Sequence, residues 1–229
     1  MRSRHTVSIK DEAQQKHISV IILASNPGYR MKSHGPKCLL EVDGKTILSH
    51  QIKAIEQKFP KAEIILVVGF FAERVIKQVP QDIRIIENQL YDNTNEMEQV
   101  RLALNNMVTN SALIVNGNTF FDFNTLKNII PTKSCIVAQD QKSNENIGIT
   151  VVNGKATIMG YGLEKEWCNI VYLESKELVK LKASCNKKNC NKMYLFEGLN
   201  LILEKKHINV VYPDVTNIFK IQTSKGIKN

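Results

Sequence analysis

The chain has no long hydrophobic run. No window in its 229 residues approaches the ~18 consecutive apolar residues that a membrane-spanning helix needs, so we expect no membrane partner. The first segment, residues 1–16, is polar and basic and contains no apolar block, which is not the pattern of a secretory signal. We expect this segment to be a flexible tail.

Aromatic residues are also scarce, at 7% of the chain with a single Trp. The net charge of +9, from 31 basic and 22 acidic residues, suits a protein that binds polyphosphates or one that binds nucleic acid. Nucleic-acid modules that stack bases interleave aromatic side chains with Arg on their strands, and no segment here has that pattern. The composition therefore favours a polyphosphate ligand over nucleic acid.

Cysteine occurs in an odd number, five, spread along the chain. This usage is typical of reduced thiols in a cytoplasmic protein, not of a disulfide framework. Cys185 and Cys190 could form half of a zinc site. No second pair of Cys or His lies nearby at ligand spacing, so we do not expect zinc there.

What the sequence does contain is an alternation of apolar runs and helical patterns through its first half. Strands are predicted at 18–24, 63–69, 83–86 and 112–116, and helices at 46–58, 71–79, 124–130 and after Asn95. Asn95 is a predicted N-cap, with Glu98 in the capping-box position. Continuous Val, Ile and Leu runs between helices predict an α/β fold: three α/β/α layers around a mostly parallel central sheet. Ligands of such sheets bind at the carboxyl ends of the strands.

The second half has shorter elements. Strands are predicted at 135–139, 147–152, 156–159, 168–173 and 217–223, and helices at 176–185 and 191–205. Asn153-Gly154 between two of these strands is a hairpin-turn signal. Because no repeat or low-complexity linker interrupts the chain, we expect residues 17–229 to form a single domain.

The loop after the first strand is the most informative segment. It begins with small residues, carries Arg30, and ends at Pro36-Lys37. Backbone amides of such a loop can approach phosphates closely, while Arg and Lys supply charge-assisted hydrogen bonds. On residue type alone, a basic surface loop is an equally good interpretation.

The order of these residues resembles the signature of the nucleotidyltransferases that make nucleotide-sugars and CDP-choline. The matching residues are Gly28, Arg30, Met31, Pro36, Lys37 and Leu39, preceded by Leu23-Ala24. The similarity continues through 42–48, 68–70, Asn95 and Asn116-Gly117, and so covers most of the first 130 residues. The resemblance implies transfer of a nucleotidyl group from an NTP to a phosphorylated acceptor, a sugar 1-phosphate or phosphocholine, with release of pyrophosphate.

The resemblance also implies residue roles. Arg30 and Lys37 would be catalytic and would stabilise the charge on the phosphates. The nucleotide would be held by Leu23, Ala24, Ser25, Asn26, Gly28, Asn95 and Gly117. Residues 17–130 would form the nucleotide-binding half and residues 131–229 the acceptor side. Glu96 and Glu98 would lie near the base or acceptor, where we expect solvated helix charges and not catalytic groups.

The metal positions depart from this pattern. Members of the family hold Mg²⁺ between an Asp after the fourth strand and an Asp on the last strand, and these positions fall here on Asn118 and Gln222. Amides lack the charge of carboxylates, so Mg²⁺ would be held weakly and mostly by the nucleotide. Asp122 could substitute from the loop, or it could simply cap the helix that follows. Two interpretations stay open: an active nucleotidyltransferase, or a catalytically impaired homologue that binds nucleotide or sugar or serves as an interaction protein.

Overall fold

The structure is a computed structural model that describes residues 17–27, 35–141, 144–214 and 218–220. Its strands are β1 Ser19–Ala24, β2 Glu41–Val42, β3 Lys45–Thr46, β4 Glu63–Val68, β5 Arg84–Glu87, β6 Ala112–Asn116, β7 Thr119–Phe120, β8 Cys135–Gln139, β9 Ile147–Val152, β10 Lys155–Tyr161, β11 Lys165–Leu173, β12 Ile208–Val211 and β13 Phe219–Lys220. Its α-helices are α1 Ile47–Lys58, α2 Ala72–Ile76, α3 Glu96–Asn106, α4 Phe123–Leu126, α5 Ser175–Cys185 and α6 Leu195–Leu203.

Within the described residues, nine strands form one sheet in the order β5-β4-β1-β6-β11-β8-β12-β10-β9. Strand β1 pairs in parallel with β4 and β6, β4 with β5, and β8 with β12. Strand β11 is antiparallel to β6, β8 and β9, and β10 is antiparallel to β9 and β12. Two strands, β10 and β11, therefore run against the other seven, which confirms a mostly parallel sheet.

Helices cover both faces of this sheet. All six residues of β1 are buried, and the five apolar ones that follow Ser19 alternate between two hydrophobic clusters. Ile21 and Leu23 pack with apolar residues of α3, α5 and α6, whereas Val20 and Ile22 pack with α1 and α4. Full burial of each such side chain contributes about 1.5–3 kcal/mol to the stability of the fold. Because both faces of these strands are buried, their sequences are unbroken apolar runs and do not alternate with polar residues. The three-layer prediction is confirmed, and both clusters draw residues from each half of the chain.

The start of α3 confirms one prediction and corrects another. The helix begins after Asn95, as expected, but the capping box is absent. Instead, the Asn95 side chain donates to the carbonyl of Lys192 at 2.6 Å, and Glu98 accepts two hydrogen bonds from Arg101 at 2.8 and 2.7 Å. A contact from a segment almost one hundred positions later in the chain therefore replaces the local cap.

The second half contains the predicted hairpin and one misassigned helix. Asn153 and Gly154 adopt positive φ, 51° and 72°, in the turn between β9 and β10. The single helix predicted at 191–205 is wrong: a 3-10 turn at Cys190–Lys192 precedes the separate helix α6. Of the last predicted strand, 217–223, the structure describes Ile218 and β13, and the other positions lie outside the described residues.

All five cysteines are buried free thiols. Burial raises the pKa of the Cys38, Cys135, Cys168 and Cys185 thiols to about 12. Among the helices that the structure describes, none combines the length and hydropathy needed to cross a membrane.

Candidate functional site

A cavity of about 440 Å³ opens at the carboxyl ends of β1 and β6. Parallel neighbours end at the same edge of the sheet, so the loops that follow them gather there. The cavity is lined by Leu23, Ala24, Asn26, Pro27, Lys37, Cys38, Tyr91, Asp92, Asn93, Thr94, Asn95, Glu96, Gln99, Asn116, Gly117, Asn118, Lys192 and Tyr194.

The loop after β1 is fixed by the side chain of Gln99, from the first turn of α3. The backbone N–H of Ser25 donates to Gln99 Oε1 at 3.1 Å, and Gln99 Nε2 donates to Asn26 Oδ1 at 3.1 Å. Asn88 Nδ2 reaches Ser25 Oγ from the other side at 3.3 Å. Sequence reasoning missed Gln99; the available signal was a polar residue between the apolar Met97 and Val100 of the helix.

Two glycines let the loops approach each other. The N–H of Gly117 donates to the Leu23 carbonyl at 2.9 Å, and a Cβ at this position would lie 3.0 Å from that oxygen. A Cβ on Gly69 would lie 2.7 Å from Tyr91 Cβ and 2.8 Å from Ser25 Cβ. Any larger residue at Gly69 would force these loops apart.

On either side of Gly117 stand two amide side chains, Asn116 and Asn118, and Asn118 occupies one of the two positions where a metal-binding carboxylate was expected. Asn116 Nδ2 donates to Glu96 Oε1 at 2.5 Å, and Asn116 Oδ1 accepts from the Asn118 N–H at 3.3 Å. The Asn118 oxygen accepts from the Thr119 hydroxyl at 3.3 Å. The other Glu96 oxygen accepts from the Leu195 N–H at 3.0 Å. The expectation that Glu96 is a solvated helix charge is therefore wrong, and so is that for Glu98, which is buried.

Glu96, half-buried at the cavity, is attracted by Lys220, a member of an enclosed ion pair that the sequence did not predict. Lys220 Nζ lies 3.6 Å from Glu166 Oε1, and both side chains are nearly enclosed. Burial raises the pKa of Glu96, while the Leu195 N–H, Lys220 and Asn116 oppose that rise. Burial likewise lowers the pKa of Lys220, against the attraction of Glu166 and Glu96.

The predicted site residues divide into four groups. Those that line the cavity are Leu23, Ala24, Asn26, Lys37, Asn95, Gly117 and Asn118. Ser25 is fully buried behind the wall. Gly28, Arg30 and Gln222 lie outside the described residues. Asp122 is not among the lining residues: its carboxylate accepts from the Thr125 N–H at 3.2 Å and caps α4, which is the structural alternative foreseen for it.

Comparison with known proteins identifies the family. Residues 20–144, more than half of the chain, match the family model described as the MobA-like NTP transferase domain. The chain belongs to this family. Sequence relatives of the NTP transferase domain include the bifunctional protein GlmU of Methanocaldococcus jannaschii, 26% identical over 148 residues, or 62% of this chain and 35% of that protein. GlmU of Alkaliphilus metalliredigens is 41% identical over 69 residues, or 30% of this chain and 15% of that protein. These alignments thus span about a third or less of the relatives' length.

Solved structures share the NTP transferase fold over nearly the whole chain. The CTP:phosphocholine cytidylyltransferase of Streptococcus pneumoniae has a TM-score of 0.74 at 16% identity. The alignment covers 91% of this chain and 95% of the cytidylyltransferase chain. The inositol-1-phosphate CTP transferase of T. maritima has a TM-score of 0.73 at 15% identity. That alignment covers 92% of this chain and 91% of the T. maritima chain. At these identities the likeness shows the fold alone.

The described part of this NTP transferase domain does not fit a protein-held Mg²⁺. Nowhere in that part do three His, Cys, Asp or Glu side chains cluster in a way that could hold a metal ion. Of the two expected metal positions, Asn118 and Gln222, the structure describes Asn118. Its side-chain oxygen is uncharged and already accepts a hydrogen bond from the Thr119 hydroxyl. Mg²⁺ prefers carboxylates together with substrate phosphate, and dehydrates reluctantly.

Proposed function

We propose that the chain binds an NTP in the cavity and transfers its nucleotidyl group to a phosphorylated small-molecule acceptor, such as a sugar 1-phosphate or phosphocholine. The observation that carries this proposal is the convergence of Lys37, the end of β1 and Gly117 on one cavity at the carboxyl edge of the sheet. An acceptor phosphate oxygen would attack the α-phosphorus. The bond from that phosphorus to the β-phosphate oxygen would break, and pyrophosphate would leave with its electron pair.

The nucleotide side of the cavity would be the wall formed by Leu23, Ala24, Asn26 and Gly117. Lys37 stands at the same wall, in a 3-10 turn that starts directly after Pro36. Its ammonium would stabilise charge on the phosphates, together with Arg30, whose role rests on the family resemblance. Fixed cations of this kind act by electrostatic stabilisation of the transferring group.

The acceptor would occupy the rest of the cavity. Tyr91, Asp92, Asn95 and Tyr194 also line it and offer hydroxyl, carboxylate and amide groups. Such groups suit a polar acceptor that carries hydroxyls or a cationic group beside its phosphate.

A second candidate function is nucleotide binding without turnover. The observation that favours it is Asn118, whose amide stands where a charged metal ligand was expected. No step of the proposed reaction is assigned to a metal, because the described donors do not fit one.

The test is a pyrophosphate-release assay with each of the four NTPs against sugar 1-phosphates and phosphocholine, in Mg²⁺ and in EDTA, alongside direct measurement of NTP binding. Acceptor-dependent release supports transfer. Saturable binding with no release above a protein-free blank supports the second candidate. Absence of both binding and release under all conditions contradicts both proposals.

A further inference from the structure

Glu96 lines the cavity, and an ion pair between Lys220 and Glu166 lies on and beside β13, the strand that pairs with the segment directly after Asn118. We propose that Lys220 occupies the cation position of this site, so that the chain binds its nucleotide without a protein-held divalent metal. This inference rests on the proposed nucleotide-binding function and specifies how the same site balances its charge.

Strand pairing places Lys220 next to the segment that carries Asn118, behind the residues that line the cavity. In the β13–β7 ladder, Lys220 pairs with Thr119, the residue that follows Asn118. The neighbouring pair, Phe219 and Phe120, stacks with ring centroids 4.7 Å apart and an interplanar angle of 16°. The lysine is therefore fixed by backbone pairing and by an aromatic contact, and only 11% of its side chain is exposed.

The Lys220 ammonium forms an ion pair with one of these carboxylates, Glu166, and acts on the other, Glu96, by longer-range electrostatic attraction. It lies 3.6 Å from Glu166 Oε1, and it attracts Glu96, which lines the cavity. A cation associated with two carboxylates at this position is the charge arrangement that a metal site would have, with an ammonium in place of the metal.

Both carboxylates are also held by amide donors, which leaves little freedom to rearrange around an added ion. Glu166 accepts from Gln139 Nε2 at 3.1 Å and from Asn146 Nδ2 at 2.8 Å. Glu96 accepts from Asn116 Nδ2 and from the Leu195 N–H, one on each oxygen. A dication entering here would displace these donors and would be repelled by the enclosed ammonium.

When ionised, the two carboxylates and one ammonium carry a net charge of −1, so the competing possibility is that the wall attracts a metal in addition to Lys220. The first experiment decides between these. NTP binding by the wild-type chain is measured calorimetrically in Mg²⁺ and in EDTA. We expect affinities that agree within about threefold, whereas a loss of more than about tenfold in EDTA, ~1.4 kcal/mol, would overturn the inference and leave nucleotide binding intact.

The second experiment needs no nucleotide. Mn²⁺ binding is followed by electron paramagnetic resonance and by metal-dependent thermal stabilisation in the wild type and in Lys220→Met. We expect no Mn²⁺ binding below millimolar concentration in the wild type and a gain of binding in Lys220→Met, because the variant leaves two carboxylates without their cation. The double variant Lys220→Met with Glu166→Gln should lose that gain. Lys220→Arg, which keeps the charge, and Lys205→Met, at an exposed lysine elsewhere, should behave as wild type.

Mn²⁺ binding by the wild type, or no gain in Lys220→Met, would contradict the inference. If Lys220→Met does not fold, Lys220→Gln replaces it, since its amide can still donate to Glu166. A wild type that binds no NTP in either buffer would refute the proposed function, while the Mn²⁺ result would still decide whether Lys220 fills the cation position.

Discussion

Individual side chains fix the shape of the cavity, and Gln99 is one that holds the loop after β1 in place. Its amide satisfies the Ser25 N–H and holds Asn26, the two residues where the loop leaves β1. Because Ser25 is fully buried, water cannot take over this hydrogen bond. An unsatisfied buried donor costs about 1–3 kcal/mol.

We therefore predict that Gln99→Ala lowers the free energy of unfolding by about 1–3 kcal/mol, measured by urea denaturation. Asn105→Ala is the matched control, since Asn105 is an exposed amide on the same helix. Equal stability of the two variants would show that the loop does not depend on Gln99.

Lys37 carries the second residue-level prediction. If it pairs with a phosphate, Lys37→Ala removes a charge-assisted hydrogen bond of about 1.5–3 kcal/mol and weakens NTP binding roughly tenfold to a hundredfold. The melting temperature should change little, because Lys37 lies at the cavity wall and not in the hydrophobic core. Lys61→Ala, at an exposed lysine outside the cavity, should leave NTP affinity unchanged. Equal affinities in the two variants would remove Lys37 from the phosphate site.

At the scale of elements, close contact between the loops after β1, β4 and β5 defines one side of the cavity. Gly69, after β4, lies where any Cβ would overlap Tyr91 and Ser25. Gly69→Ala should thus lower the free energy of unfolding by about 1–3 kcal/mol, the usual range for overpacking. NTP binding should weaken with it, because Tyr91 lines the cavity.

Gly160→Ala provides the comparison for this prediction. Gly160 lies within β10 at ordinary φ, and the nearest atom to an added Cβ is 3.8 Å away. Calorimetric melting of the two variants should show a clear loss for Gly69→Ala and almost none for Gly160→Ala. Similar melting curves would mean that the loops accommodate the extra methyl group.

Strands and helices that are determined by neighbouring residues in the chain could be predicted from the sequence. The strands at 112–116 and 135–139 have the predicted bounds, since short apolar runs with turn residues at both ends determine them. The insertion of β11 between β6 and β8 could not be predicted, because strand order depends on pairing between distant segments. For the same reason the hydrogen bonding of Glu96 was missed: its partner Leu195 lies 99 positions away.

The residues at and near the cavity also divide into those that the sequence predicted and those that it did not. Lys37, Asn118 and Gly117 were found because a family resemblance assigns those positions. Lys220 and Glu166 were not, since neither has a motif and their ion pair forms only when β13 pairs with β7.

At the scale of the whole molecule, the five thiols report on the integrity of the fold. All are buried, and burial raises the pKa of four of them to about 12, so almost no thiolate is present at neutral pH. We predict that a disulfide reagent labels the native chain only slowly and labels all five thiols once urea unfolds it. Rapid labelling of the native chain, or fewer than five reactive thiols after unfolding without reductant, would contradict buried free cysteines.

The most direct measurement is a crystal structure of the chain with a non-hydrolysable NTP, grown in EDTA. We predict the triphosphate between the end of β1, Lys37 and Gly117, with the Lys220–Glu166 ion pair retained. A nucleotide bound elsewhere, or a cavity left empty at saturating nucleotide, would contradict the assignment of this cavity as the nucleotide site.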